Sequence, residues 1–242
     1  MAVIVGCGNA PLVNAVRGPL FVADCSELGD VEASDVVVLD WTGGVSSIYP
    51  DDELPPLDFS NFTTPEGSLA DVEGAFKAAV RDRVAETLCG FPGLAVAVRE
   101  GEGPSDSPLS TVYITFSRSP NSRSQIGEGQ YDPCNEQHDN DAIIFGEDLM
   151  QLGGPYTYDE WVLIVSNVVA HETGHMLGFP HAARTDDNSG ERALFVELML
   201  ATHTLDEMLS EQRFLSPDTN CPADAAAARQ RVEPPSICEI RN

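Results

Sequence analysis

Three of the five histidines in the chain lie in one stretch, HETGHMLGFPH, at residues 171–181. His171 and His175 are four residues apart, so on a helix they are separated by roughly 40° around the axis and point the same way. Two imidazoles with this spacing are typical of a zinc site. Glu172 lies beside them, where its carboxylate can act as a general base without binding the metal.

A catalytic zinc ion needs a third protein ligand and one position left for water. His181 could not supply that ligand from a continuous helix, since it would lie about 15 Å along the axis from His171. Gly178 can adopt the left-handed conformation that ends a helix, and Pro180 prevents the helix from resuming. The spacing therefore predicts that the chain turns back after Gly178 and brings His181 to the same ion.

The segment 171–181 is similar to the signature HExxHxxGxxH of the metzincin zinc proteases. The resemblance implies one catalytic Zn²⁺ held by His171, His175 and His181, with Glu172 as the general base. It is specific over residues 171–199, and it says little about either end of the chain.

The same resemblance implies a methionine-containing turn beneath the metal. Met199 is the best candidate, and Met208 is a weaker one because its segment is predicted to be helical. Three departures leave the subfamily unassigned. Ala182 follows the third histidine, where several subfamilies carry a diagnostic residue. Ala201 stands where astacins and serralysins carry a tyrosine ligand, and the cysteine pattern of archaemetzincins is absent.

The function implied by the resemblance is that of a zinc-dependent endopeptidase. The metal would activate a water molecule, and Glu172 would take its proton and pass it to the leaving amine. Family substrates lie extended along an edge strand before the active-site helix, which here indicates residues 142–145 or the preceding loop. Two alternatives stay open: a non-catalytic binding domain that retains the fold, and a zinc hydrolase that acts on a non-peptide bond.

Other polar residues are weaker candidates. His138, Asp139 and Asp141 lie in a polar loop and could help to bind a structural zinc or calcium ion, although oxygen-rich loops are usually only solvated. The Asp-Asp-Asn run at residues 186–188 is a similar case. His203 follows the expected methionine turn and could border the substrate pocket.

The charge of the chain restricts its partners. Its 242 residues include 13 basic and 39 acidic side chains, for a net charge of −26. Such a field repels nucleic acids and anionic membranes, and no apolar run approaches the ~20 residues that cross a bilayer. We expect a monomer without a membrane-spanning segment, whose partner is a protein or peptide substrate.

The six cysteines are even in number and scattered along the chain. This pattern predicts disulfides in a secreted or extracytoplasmic protein, with six reduced thiols as the alternative. Proximity favours the pairs Cys7–Cys25 and Cys221–Cys238, which leaves Cys89 with Cys134. However, residues 4–7 resemble a lipoprotein cleavage box, so that Cys7 could carry a lipid anchor. Cys7 could also occupy the zinc as a latency switch, but its neighbours do not match the matrixin switch motif.

The pattern of apolar residues predicts an α+β fold with a twisted, mostly parallel sheet. Together with the metzincin resemblance, it implies a three-layer α/β/α, zincin-like architecture with two long helices and a small irregular C-terminal subdomain. An irregular leader at 1–34 is expected before a catalytic domain at 35–242, divided into an upper subdomain, 35–178, and a lower one, 179–242. The strands are predicted at 35–41, 94–99, 111–116 and 142–145, the long helices from about residue 68 to 89 and at 159–177, and a helical segment near 205–213.

Overall fold

The computed structural model describes residues 35–88, 94–99, 109–121, 125–133, 135–137, 139–182, 196–201, 203–210 and 212–213. Several sequence-based predictions therefore lie outside the described residues. These are the leader 1–34, all six cysteines with their disulfide or lipid roles, His138, the 186–188 run and the tail beyond residue 213.

Short elements alternate with two long helices along the chain. The strands are β1 (Asp35–Asp40), β2 (Gly44–Val45), β3 (Glu53–Leu54), β4 (Thr63–Thr64), β5 (Gly67–Ser68), β6 (Leu94–Arg99), β7 (Ser110–Thr115), β8 (Gly127–Gly129), β9 (Asp141–Phe145), β10 (Val196–Glu197) and β11 (Gln212–Arg213). The helices are α1 (Glu73–Thr87), α2 (Gly146–Met150), α3 (Tyr158–Met176) and α4 (Leu205–Met208), with 3-10 turns at Phe59–Asn61 and Leu69–Val72.

The central sheet has five strands in the order β6-β1-β7-β9-β8. Four of them are parallel, and β8 pairs with β9 in the antiparallel direction. The predicted mostly parallel sheet and mixed α+β class are therefore confirmed. Strand β9 lies between two neighbours, so residues 142–145 do not form an edge. The edge strand on this side of the sheet is β8, which lies in the loop that precedes β9.

Both long helices pack on the same face of the sheet. Leu39 of β1, Ile114 of β7 and Ile144 of β9 are fully buried in one apolar cluster with residues of α1 and α3. On the opposite face, Ile143 and Phe145 pack against Leu54 and its neighbouring loop. The predicted third layer of helix is thus wrong for the described part of the chain, because a short strand pair and its loop cover that face.

Three differences from the predicted elements have simple causes. The first long helix begins at Glu73 because Ser68 caps a 3-10 turn before it. In strand β7, apolar residues alternate with polar ones, which predicts a single buried face, but the central place of the strand in the sheet buries Thr111 and Thr115 as well. The helical segment predicted at 205–213 is shorter, since α4 ends at Met208 and β11 follows it.

None of the helices among the described residues is both long and apolar enough to cross a membrane.

Candidate metal centre

Helix α3 carries the first two histidines and is fixed at its N-terminus. The Thr157 hydroxyl accepts a hydrogen bond from the Glu160 N–H, and the Glu160 carboxylate accepts one from the Thr157 N–H at 2.7 Å. This capping box satisfies amide groups that have no partner within the helix. The middle of α3 is buried on most sides against the sheet and α1. His171 and His175 therefore project from a firmly held backbone.

The C-terminal end of α3 turns the chain back, as the sequence predicts. The Gly178 N–H donates to the His175 carbonyl at 3.0 Å, and the Phe179 N–H donates to the Gly174 carbonyl at 2.9 Å. These two bonds form a Schellman motif. Gly178 has a φ of +94°, and a Cβ there would lie 2.9 Å from the carbonyl oxygens of both Asp132 and Pro133. Only glycine fits this turn without strain.

The turn brings the third histidine to the first two. The Nε2 atoms of His175 and His181 are 3.1 Å apart, and one ligand nitrogen from each of the three histidines lies within 4.8 Å of the others. Nitrogens around a tetrahedral zinc ion are about 3.4 Å apart, given Zn–N bonds of about 2.0–2.1 Å. The 3.1 Å pair is near that value, and the remaining separations are at most 4.8 Å. The three predicted histidines form a group that could hold a metal ion.

Backbone carbonyls fix the tautomers of the two helical histidines. The Nδ1 atom of His171 lies 2.7 Å from the Leu198 carbonyl oxygen, and that of His175 lies 2.8 Å from the Phe179 carbonyl oxygen. A carbonyl oxygen only accepts hydrogen bonds, so each Nδ1 must carry the proton. Each Nε2 therefore keeps its lone pair for a ligand, as in metal sites whose outer contacts orient the imidazoles.

Burial keeps these imidazoles uncharged. It lowers the pKa of His171 to about 3, with the neighbouring His175 adding to the effect. It also lowers the pKa of His175 to about 4, and it lowers the pKa of His181 from its ordinary value. Neutral histidine is the form that binds metal ions. At neutral pH, a cation would displace no proton from these nitrogens.

The donor set restricts which ion would fit. Three imidazole nitrogens suit zinc and other first-row transition metals, whereas calcium and magnesium prefer oxygen. The three histidines line a cavity of about 570 Å³, so substrate or water could reach a bound ion. Three protein ligands beside an accessible cavity match a catalytic site better than a closed structural one.

Glu172 is buried beneath strand β8. Burial, with a smaller contribution from the nearby Glu128 carboxylate, raises the pKa of its carboxyl to about 8, although a hydrogen bond from the Gly129 N–H acts in the opposite direction. Burial acts in this direction because it disfavours the charged form. Glu172 also lines the cavity with the histidines. A carboxyl with a pKa near neutrality can both accept and return a proton.

A segment from the C-terminal part of the chain supports the histidines. The Leu198 carbonyl accepts hydrogen bonds from His171 and also from Nε2 of His203, at 3.1 Å. The Gln212 amide lies 3.4 Å from Nδ1 of His203 and donates to the Glu207 carbonyl at 3.0 Å. His203 thus borders the cavity, as predicted, and connects the first histidine with α4 and β11.

The predicted methionine turn lies in the same segment. Met199 is in a turn and is 1% exposed, and its carbonyl accepts a hydrogen bond from the Ala182 N–H at 2.7 Å. Since Ala182 follows His181, this bond helps to place the third histidine. Met208, the weaker candidate, is also buried and lines the cavity from α4.

Of the weaker candidates for an ion site, the structure describes Asp139 and Asp141. Asp141 is buried, and its Oδ2 atom accepts hydrogen bonds from the Ser47 N–H at 2.6 Å and the Ser47 hydroxyl at 2.7 Å. It therefore fastens β9 to the loop before β3. Asp139 is exposed. The other members of the predicted ion sites lie outside the described residues.

Sequence reasoning missed the partners that come from far along the chain. No sequence motif marks the Leu198 carbonyl, the Gln212 side chain or the inner face of β8 as part of the site. Backbone carbonyls and glycines carry no distinctive chemistry in a sequence, and a single glutamine distant from the histidines belongs to no motif. Comparison with models of known protein families gave no match, and comparison with curated proteins gave none either. The metzincin resemblance therefore rests on the residues of this site.

Proposed function

We propose that this chain is a zinc-dependent endopeptidase of the metzincin type with a zincin-like fold. One observation supports the proposal most strongly. The imidazoles of His171, His175 and His181 lie close together and line one cavity, and burial favours their uncharged forms. The buried carboxyl group of Glu172 lines the same cavity. Each residue type has its own task in the hydrolysis of a peptide bond.

Zn²⁺ is the ion we propose for the three histidines. When bound, it would act as a Lewis acid that activates water and polarises the scissile carbonyl. The chain itself would hold the ion through three Nε2 atoms, two of which are aimed by hydrogen bonds from Nδ1 to the Leu198 and Phe179 carbonyls. Fixed imidazoles keep the geometry constant during turnover.

Glu172 is the proposed general base. Its carboxylate would accept a proton from the attacking water and deliver that proton to the leaving amine. Burial favours the protonated form of Glu172, whereas a cation at the histidines would favour the ionised form. A bound cation would therefore oppose the effect of burial and support the ionised form that a general base needs.

Strand β8 is the proposed binding edge for an extended substrate. Ile126 and Gln130 flank β8 and exchange backbone hydrogen bonds with the β9 side of the sheet. In an antiparallel pair the bonding residues alternate, so the backbone groups of Gly127 and Gly129 face away from β9; of these, the Gly129 N–H is already bonded to the Glu172 carboxylate. A peptide could add to the sheet there by strand pairing. This edge lies directly over Glu172.

Peptide cleavage by the zinc-loaded protein tests the proposal. The protein would be incubated with casein and a mixed peptide library, with and without a chelator, beside the variant Glu172→Gln. We expect chelator-sensitive cleavage, and about 10²- to 10⁴-fold slower turnover in the variant, which is the usual contribution of a general base. Glu66→Gln makes the same chemical change at an exposed loop position and should retain full activity.

Each other result argues for a different function. Zinc binding without cleavage of any peptide would favour a binding domain. Cleavage of a non-peptide substrate alone would favour another type of zinc hydrolase. Unchanged peptide cleavage in Glu172→Gln would contradict the assignment of the base.

A further inference from the structure

Two glycines of strand β8 lie against Glu172 with no room for a side chain. A Cβ on Gly127 would be 2.5 Å from Oε1 of Glu172, 2.8 Å from its Cγ and 2.9 Å from its Cδ. A Cβ on Gly129 would be 2.7 Å from the Glu172 carbonyl oxygen. Real Cβ atoms do not approach other heavy atoms this closely, so any larger residue would force a movement.

Backbone conformation does not explain these glycines. Neither has a positive φ, in contrast to Gly43, Gly67 and Gly178. Residues in extended strands ordinarily gain from a side chain, since glycine weakens a strand. Glycine is therefore needed at these two positions because the absence of a Cβ lets strand β8 approach Glu172 closely.

Strand β8 cannot easily withdraw from the helix to relieve a collision. It is hydrogen bonded to β9 along one side. The carboxylate of Glu128 accepts a hydrogen bond from the Tyr49 hydroxyl at 2.6 Å, and others from Gln125 at 3.2 Å and Asn121 at 3.3 Å. Because these contacts hold the strand, the flexible side chain of Glu172 would move before the strand does.

We propose that Gly127 is a positioning residue for Glu172: its bare Cα sets where the carboxylate lies, and therefore how far the base is from the metal site. The catalytic part of this inference rests on the proposed function. Gly129 has a different task, since its Cβ would collide first with the backbone of α3: the Glu172 carbonyl oxygen would lie at 2.7 Å, whereas Oε2 of the Glu172 side chain would lie at 3.2 Å. It sets the spacing between strand and helix.

A direct test needs no activity. In metal-free protein with labelled glycine and glutamate, nuclear Overhauser effects should connect the Gly127 α-protons with the Glu172 γ-protons. In Gly127→Ala, the Glu172 side-chain signals should shift while those of His171 and the helix amides stay in place. Unchanged Glu172 signals in this variant would overturn the inference, whether or not the protein proves to be a protease.

Kinetics test the functional consequence. In zinc-loaded Gly127→Ala we expect kcat to fall about 10- to 100-fold, the cost of misplacing a reacting group by about 1 Å, with KM, zinc content and melting temperature nearly unchanged. Gly74→Ala is the matched control, because a Cβ there meets nothing within 4 Å. It should leave kcat unaltered.

The two glycines should also differ from each other. Gly129→Ala is expected to lower the melting temperature, since backbone atoms of α3 would have to shift. Wild-type kcat in Gly127→Ala, or equal losses of stability in the two variants, would contradict the assignment. If the wild-type protein cleaves no peptide, the proposed function fails, and the resonance experiment still decides whether Gly127 places the carboxylate.

Discussion

The C-terminal end of α3 and the inner face of β8 both shape the metal centre, but they do so through different kinds of contact. At the helix end, residues 171–181 position one another through a turn that is local in sequence. Strand β8 reaches the same site from more than forty residues earlier in the chain, and it acts by leaving space over Glu172. The contacts at the helix end follow from the types of residue in one short segment. The contact of β8 with Glu172 depends on the tertiary fold.

The two regions should fail in different ways. Damage to the helix end should remove the metal or destabilise the turn, because ligands and backbone are directly involved. Damage to the distant supports, which are β8 and residues 198–201 and 203, should leave the metal bound and lower the proposed catalytic efficiency of the site. The following predictions test that difference, in order of decreasing expected effect.

The largest effect is expected for His181→Ala. Loss of one ligand from three should weaken zinc binding more than about 100-fold, since even outer contacts to ligands are worth about 10- to 100-fold. Competition with a chromogenic chelator measures the affinity. A zinc affinity equal to that of the wild type would show that the third histidine does not bind the ion.

The second effect concerns the turn itself. In Gly178→Ala, a residue with a positive φ would carry a Cβ that meets two carbonyl oxygens at 2.9 Å. We expect the free energy of unfolding, measured by chemical denaturation, to fall by more than the about 1–3 kcal/mol that backbone strain alone costs, because the collision adds to that strain. Gly153→Ala is the matched control, because Gly153 has a similar φ of +88° and nothing within 4 Å. An equal loss in both variants would mean that the collision contributes nothing.

The third effect is a weak dependence of zinc affinity on pH. Burial lowers the pKa of His171 to about 3 and that of His175 to about 4, so protons should not compete for these two ligands until the pH falls toward those values. An exposed histidine of ordinary pKa would lose about tenfold in affinity between pH 7.5 and 5.5. Titration calorimetry at both pH values measures the zinc affinity. The affinity should fall less between pH 7.5 and 5.5 than it would for a site of three ordinary histidines.

The smallest effect is expected for His203→Ala. His203 does not need to bind the metal, because its Nε2 contacts the Leu198 carbonyl and its Nδ1 faces Gln212. Its removal frees the carbonyl that orients His171, so zinc affinity should fall about tenfold or less. The visible spectrum of the cobalt-substituted protein should shift, which a purely structural loss would not cause. An affinity loss as large as that of His181→Ala would make His203 a ligand.

The sequence allowed the helix end to be predicted because its signals are local. Thr157 and Glu160 have the spacing of a capping box, which indicates the start of α3. Gly178 and Pro180 indicate its end, and the histidine spacing indicates which side chains meet. Each of these signals depends on residues within a few turns of one another. The structure has all three features where the spacing placed them.

The supports could not be predicted because their signals are weak or distant. Strand β8, with the sequence Gly-Glu-Gly, lacks the β-branched residues that mark a strand, so it was expected to be loop. The pairing of Leu198 with His171 spans 27 positions and involves a carbonyl that every residue possesses. The helical layer expected on the second face followed from the family resemblance, whereas a strand pair and loop cover that face in the described residues.

X-ray absorption at the zinc edge, on the purified protein loaded with one equivalent of zinc, tests the central claim most directly. The account predicts one ion with three imidazole nitrogens at about 2.0–2.1 Å, falling to two in His181→Ala. Protein that retains no zinc, or a spectrum with fewer than three imidazoles in the wild type, would contradict it.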